Sequence, residues 1–122
     1  MSSSLTDINR VLSLYTKNVN TTMQSVFETT ARDAANKLKQ SSPKDKGEYA
    51  RNWAVKKEAG KATVYNKKPT YRLTHLLENG HDVVVNGVKV GHANPQVHIK
   101  PVDEWVQDEV MQRLQEALGN VN

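Results

Sequence analysis

Apolar residues in the first third of the chain recur mostly at steps of three and four: Leu5, Ile8, Leu12, Tyr15, Val19, Met23, Val26, Ala31, Ala34, Ala35 and Leu38. That is the helical period, and no glycine or proline interrupts it. Residues 5–40 are therefore expected to form one long helix. Ser3 or Ser4 can cap its start, and Asp7 is favourable in its first turn. Pro43 stops it, because the residue before a proline is pushed out of helical geometry. At about 1.5 Å per residue the helix reaches roughly 50 Å. That length is large for a chain of 122 residues, so part of it is expected to project or to pack on another chain. The polar stretch Asn18, Asn20, Thr21 and Thr22 holds poor helix formers and marks a candidate bend.

After Pro43 the period changes. Ser41-Ser42-Pro43-Lys44-Asp45-Lys46-Gly47 reads as a flexible loop. Between Glu48 and Glu58, Trp53 and Val55 share one strand face and Asn52 and Ala54 the other. Ala59-Gly60-Lys61 turns the chain, and Ala62 to Asn66 returns as a second strand, giving a hairpin. Pro69 and Thr70 open a short helix, Tyr71 to Asn79, with Leu73, Leu76 and Leu77 on one face and Gly80 as its stop. Val83-Val84-Val85-Asn86-Gly87-Val88-Lys89-Val90 is the clearest local signal, since Asn-Gly between β-branched runs is the favoured two-residue hairpin turn. His92 to Lys100 is extended and contains Pro95. Pro101 begins a last helix, with Val102, Trp105, Val106, Val110, Leu114 and Leu118 at helical spacing and Gly119 at its end. The order predicts a single α+β domain over residues 1–122, with a mostly antiparallel sheet of about four strands covered by helices. Its parts are a long helix over 1–41, a loop over 42–47, the sheet with a short helix at about 70–79 within 48–100, and a C-terminal helix over 101–119.

Composition changes this picture in two ways. Hydrophobic residues make up 37% and the mean hydropathy is −0.69, so the core is modest and partners are expected to supply some stability. Cysteine is absent, which excludes disulfides and thiolate metal sites. No apolar run approaches the roughly 20 residues of a membrane span, and Met1 to Asp7 lacks the pattern of a signal peptide. The expectation is a soluble protein, without membrane contact, that stays on the side of the membrane where it is made.

Charge is uneven. The net is +4, but residues 1–42 carry +2, residues 43–72 carry +6, residues 73–100 are neutral and residues 101–122 carry −4. Two copies attract each other if one presents its basic middle to the acidic end of the next. A head-to-tail contact of that kind closes into a ring when the rotation permits. The alternative is that both are solvated faces.

Candidate chemistry is sparse. His75, His81, His92 and His98 lie six, eleven and six residues apart. Glu78 and Asp82 are near in sequence, but nothing matches His-Glu-x-x-His or another metal signature. There is no Gly-x-Ser-x-Gly elbow and no phosphate loop. Asp103-Glu104 and Asp108-Glu109 are exposed neighbours by spacing, without the burial that a general acid or base needs. No catalytic, cofactor-binding or metal residue is therefore predicted, and no cofactor. Lys44, Lys46, Arg51, Lys56, Lys57, Lys61, Lys67, Lys68 and Arg72 form a basic stretch interleaved with Tyr49, Trp53, Tyr65 and Tyr71. Aromatics beside cations can stack bases, so a small basic nucleic-acid-binding protein is the alternative reading. Lysine outnumbers arginine there by seven to two, which favours diffuse phosphate attraction over base readout.

The order of motifs resembles the tail-completion, or head–tail joining, minor tail components of long-tailed (siphovirus-type) bacteriophages. The residues carrying it are Ser42-Pro43-Lys44-Asp45-Lys46-Gly47, Tyr49, Asn52-Trp53-Ala54-Val55, Val64-Tyr65-Asn66, Tyr71-Arg72-Leu73-Thr74-His75-Leu76-Leu77-Glu78-Asn79-Gly80-His81 and His98-Ile99-Lys100-Pro101. They span about residues 42–105. One departure stands: members often place proline directly before the histidine of the last motif, whereas here Pro95 lies three residues before His98. The resemblance implies a curved sheet and a non-enzymatic virion protein, made in the bacterial host cytoplasm and housed in the tail at the head–tail interface. It also implies a ring, six-fold, that contacts further copies of the chain, tail tube or tail terminator proteins and the head connector, with at most weak, non-specific contact with DNA. The candidate interface elements are the loops with Lys44 and Lys46 and with Lys67 and Lys68, the strand lysines Lys56 and Lys57, the tip Asn86-Gly87, and the acidic Asp103, Glu104, Asp108 and Glu109.

Overall fold

The computed structural model describes residues 2–44 and 47–119, without the side chains of residues 2–7 and 15. Helix α1 runs over Ser2–Ser41, about 60 Å at 1.5 Å per residue. The helix is unbroken at Asn18–Thr22, where a bend was a candidate. Hydroxyls along it are satisfied from within: Thr21 Oγ1 donates to the Lys17 carbonyl at 2.9 Å and Thr29 Oγ1 to that of Ser25 at 3.0 Å, so the polar residues find partners without breaking the backbone ladder.

A one-turn helix α2 (Glu48–Arg51) follows, then strands β1 (Trp53–Glu58) and β2 (Lys61–Asn66). Extended backbone therefore begins only at Trp53; a four-residue helix is too short to show a period. A 3₁₀ turn (Thr70–Leu73) leads into α3 (Thr74–Asn79), strands β3 (His81–Val85) and β4 (Val88–Ala93), and helix α4 (Ile99–Gly119). Helix α4 starts two residues before Pro101, which sits within its first turn. Among the described residues no helix is long and apolar enough to cross a membrane.

The fold is α+β, and its four antiparallel strands pair as two separate hairpins, β1–β2 and β3–β4. Alternation reveals strands but not which edges meet, and here the helical turns over 70–79 come between the two hairpins. The second hairpin turns through Asn86 (φ 52°) and Gly87 (φ 79°), the pair of positive φ values that a two-residue turn of this hand requires.

The core lies along the C-terminal half of α1. Ala34, Ala35, Leu38, Tyr49, Trp53 and Val102 are buried together, with Val55, Val64, Leu73, Leu77, Ile99, Trp105 and Val106 packed around them. Helix α4 runs antiparallel to α1: Lys37 Nζ lies 4.6 Å from the Trp105 ring, and eight residues on, Arg113 reaches back to Asp33 at 2.8 Å and Thr30 at 3.4 Å. The β1–β2 hairpin also packs on α1. Among the described residues, the N-terminal half of α1 is left exposed. Ile8, Val11, Leu12 and Leu14 are all more than half exposed.

Gln24 sets the reach of the first hairpin. Its Nε2 donates to the Glu58 carbonyl and to Glu28 Oε2, each at 2.9 Å, while its Oε1 accepts the Gly60 N–H at 2.9 Å. One amide thus ties both sides of the turn to α1. Gln24→Ala should cost about 1 kcal/mol, a typical net hydrogen-bond value, and should speed amide exchange at Gly60 while leaving exchange at Trp53 unchanged. Hydrogen-exchange mass spectrometry reads both.

Candidate functional site

The motif segments singled out in the sequence meet in one buried place. At the end of α1, Ser42 Oγ accepts from Trp53 Nε1 at 2.8 Å. The Trp53 ring lies edge-on to Tyr49, centroids 5.6 Å apart, and Tyr49 lies edge-on to His98 at 5.5 Å. His98 is 2% exposed. Its Nδ1 is 2.7 Å from the Gln96 carbonyl oxygen and its Nε2 is 2.8 Å from the Tyr49 hydroxyl. Nδ1 faces two acceptors, the Gln96 carbonyl and Glu78 Oε1 at 3.1 Å, so it carries a proton, and Nε2 pairs with the Tyr49 hydroxyl. Burial pushes the Tyr49 phenol up, which keeps it a donor.

Glu78 closes the site from α3. Its Oε1 accepts the backbone N–H groups of His98 (2.8 Å) and Ile99 (2.9 Å), and its Oε2 accepts that of Lys100 (2.9 Å). The first donors of a helix have no partner within it. In α4 one carboxylate takes three of them, and the next residue, Pro101, has none to satisfy. A negative charge is also favourable at this end of a helix. Burial alone pushes the Glu78 carboxyl up, but the three N–H donors and the nearby His98 outweigh it. The group ends below the ordinary carboxylate value. The stretch from Pro95 to His98 gives the clamp its shape: the Gln96 N–H donates to the Leu77 carbonyl at 2.7 Å, and both ends of the loop are thereby fixed to α3. Gly80 (φ 75°) permits this closeness, since a Cβ there would come within 2.6 Å of the Ala93 carbonyl oxygen.

A second chain of bonds joins the hairpin to α2. Asn66 Nδ2 donates to the Tyr49 carbonyl at 2.9 Å, Thr70 Oγ1 to Asn66 Oδ1 at 2.5 Å, and Asn52 Nδ2 to Thr70 Oγ1 at 2.9 Å. Chemically, these residues hold one another. Both nitrogens of His98 and both oxygens of Glu78 already face protein partners, so neither is set to exchange a proton with a bound molecule. The remaining histidines lie apart: His75 and His92 are exposed and His81 half-buried. Among the described residues no group of three or more metal-ligating side chains is assembled.

The predicted contact residues are distributed over the outside. Lys44, Lys67 and Lys68 are exposed, as are Asn86 and Gly87 at the second hairpin tip; Lys46 lies outside the described residues. Lys56 pairs with Glu58 at 3.6 Å and Lys57 with Glu28 at 3.4 Å, so part of the basic stretch is neutralised within the chain. Asp103, Glu104 and Asp108 are exposed on α4. Glu109 differs: it is half-buried and bonds Arg113 at 3.0 Å along its own helix, and Arg113 in turn reaches Asp33 on α1. The spacing that groups it with Asp108 cannot see that the boundary of the buried face runs between them. Tyr49 and Trp53 are both in the core, which removes two of the four aromatics that a base-stacking surface would need.

Residues 7–80, well over half of the chain, match the family described as "Bacteriophage HK97-gp10, putative tail-component". The chain belongs to this family of phage tail components. No curated protein and no solved structure matches it. The match covers α1 through α3, and so includes Ser42, Tyr49, Asn52, Trp53, Asn66 and Glu78, but ends before His98. In this tail component Ser42, Tyr49, Asn52, Trp53, Asn66 and Glu78 hold α1, the first hairpin and α4 together, while Tyr65, Tyr71, Arg72, His75 and Leu76 of the same segments are exposed. Gln24, Thr70 and Arg113 were not legible as structural residues, because each acts through a partner more than 15 positions away or through a lone polar contact without periodicity. For Glu78 a signal existed: a carboxylate within the Leu-Leu-Glu-Asn-Gly-His run and a later Pro101 lacking a helix-start donor.

Proposed function

We propose that this tail component is a non-catalytic tail-completion, or head–tail joining, protein. It acts as one α+β unit over residues 1–122 and assembles as a ring of copies, six-fold, at the head-proximal end of the tail, between the tail tube or terminator and the head connector. The observation that supports this reading is the division of labour in the chain: Ser42, Tyr49, Trp53, Glu78 and His98 of the motif segments are spent on internal hydrogen bonds, while charge is left on the outside, basic at Lys44, Lys67 and Lys68 and acidic at Asp103, Glu104 and Asp108. Apart from His81 Nδ1, which is buried without a hydrogen-bond partner, the buried polar side chains of the described residues are bonded within the chain, which favours a role carried by its surface. Opposite charges on different elements suit a head-to-tail contact between copies.

The test is charge reversal of Asp103, Glu104 and Asp108 to lysine. Glu109 is left intact because its bond to Arg113 belongs to the fold. Melting temperature should stay within a few degrees of the parent, while the yield of joined, infectious particles should fall by about tenfold or more, equivalent to roughly 1.4 kcal/mol lost at the contact. Normal particle yield from the reversed protein would remove the α4 surface from the assembly.

A further inference from the structure

Among the described residues, two elements end in apolar surface that stays exposed. One is the N-terminal half of α1. The stripe that is buried from Val26 onward continues outward through Leu12 and Ile8, with Val11 beside them. Ile8, Val11 and Leu12 are 55%, 62% and 58% exposed. The other is the β3–β4 hairpin. Asp82 lies opposite His92 and touches both it (3.0 Å) and Lys89 (3.3 Å), the partner of Val84. These groups share one face, and hydrogen bonding to His92 and Lys89 holds the Asp82 carboxyl below its ordinary value. Strand alternation puts Val83 and Val85 on the other face, with Val88 opposite Val85. Val83, Val85 and Val88 are 39%, 52% and 62% exposed. Val84, on the charged face, is 56% exposed as well, so the hairpin shows valine on both sides, more continuously along Val83, Val85 and Val88.

We infer that the exposed N-terminal half of α1 in one copy docks on the valine face of the β3–β4 hairpin in the next copy. Three observations favour a second copy of this chain over other occupants. First, one molecule offers both halves of the contact but roots them apart. The hairpin springs from beside the C-terminal end of α1, where Glu78 and Gly80 hold the chain near His98. Leu12 lies about 40 Å from that end, at 1.5 Å per residue. Second, the charges do not oppose the contact. Between residues 8 and 27 the helix carries Arg10 and Lys17 and no acid, and residues 81–93 carry one Asp and one Lys. Third, the areas fit. The six named side chains expose roughly 550 Å² of apolar surface, which at usual interface composition implies about 1,000 Å² in all, the lower bound for a specific contact. A contact of that size holds weakly alone and gains from closure into a ring.

The two patches differ, so the contact is directional and repeats from copy to copy. This inference rests on the ring reading above and supplies its contact. A cysteine-free chain makes the test clean. Full-length Leu12→Cys and Val88→Cys variants are purified separately, confirmed by circular dichroism to fold like the parent, concentrated and oxidised with copper-phenanthroline. The mixture should give a covalent dimer joining the two variants, several-fold more abundant than the product of either alone. Predominant homodimer of Leu12→Cys would overturn the inference in favour of helix-on-helix pairing. Absence of any cross-chain product from the mixture would overturn it too. If rings of the parent are nevertheless seen by sedimentation, the ring reading survives and only this contact fails. If the mixed dimer forms but phages lacking the chain still join heads to tails, the contact survives and the functional reading fails.

Discussion

Glu78→Ala is expected to lower stability by about 2–4 kcal/mol, because three backbone N–H groups at the start of α4 lose a charged acceptor, those of His98 and Ile99 in part-buried positions. For a chain of this size that is a drop of roughly 10 °C or more in melting temperature. Glu78→Gln keeps the shape and one acceptor oxygen and should fall between. The pH response separates the charge from the shape. The folded-state carboxyl lies below its ordinary value of 4.5, so its stabilisation is complete above about pH 4.5 and is lost as pH falls through the lowered value. Urea unfolding of the parent should therefore weaken more steeply below pH 4.5 than that of Glu78→Gln. Parallel curves for the two would mean that the negative charge contributes nothing.

Trp53→Ala should have a larger effect, about 3–5 kcal/mol, the usual cost of deleting a buried aromatic ring. The indole is 6% exposed, stands against Tyr49 and His98 at centroid distances of 5.6 and 6.5 Å, and donates to Ser42. A domain of this length holds only about 5–15 kcal/mol in total, so the variant should be partly unfolded at 37 °C. Trp53→Phe keeps the ring contacts and loses the bond to Ser42, at about 1–2 kcal/mol. Chemical denaturation with far-ultraviolet circular dichroism ranks the three proteins. Equal stability of the alanine and phenylalanine variants would contradict the packing argument.

What the sequence revealed depended on range. The long helix, both hairpin turns and the place of α4 follow from periods and turn residues within a few positions of each other, and each was legible. Trp53 was legible as core because it alternates with polar neighbours. The helix at Glu48–Arg51 is shorter than any period it might display. That the two hairpins stay apart instead of joining in one sheet depends on edges, which alternation does not encode. Glu78 acts on backbone donors 20 to 22 residues away, and a backbone donor leaves no trace in residue identity, apart from the proline that lacks one. The same limit applies to the surface. Spacing grouped Glu109 with Asp108, while Glu109 is half-buried beside Arg113 on the same helix and Asp108 is exposed.

The proposed role of this tail component is to join its neighbours through its outer surface. Electron microscopy of phage particles produced without the chain tests that most directly. Filled heads and finished tails lying apart, rejoined when purified protein is added back, is the predicted result. Joined and infectious particles made in its absence would contradict the account.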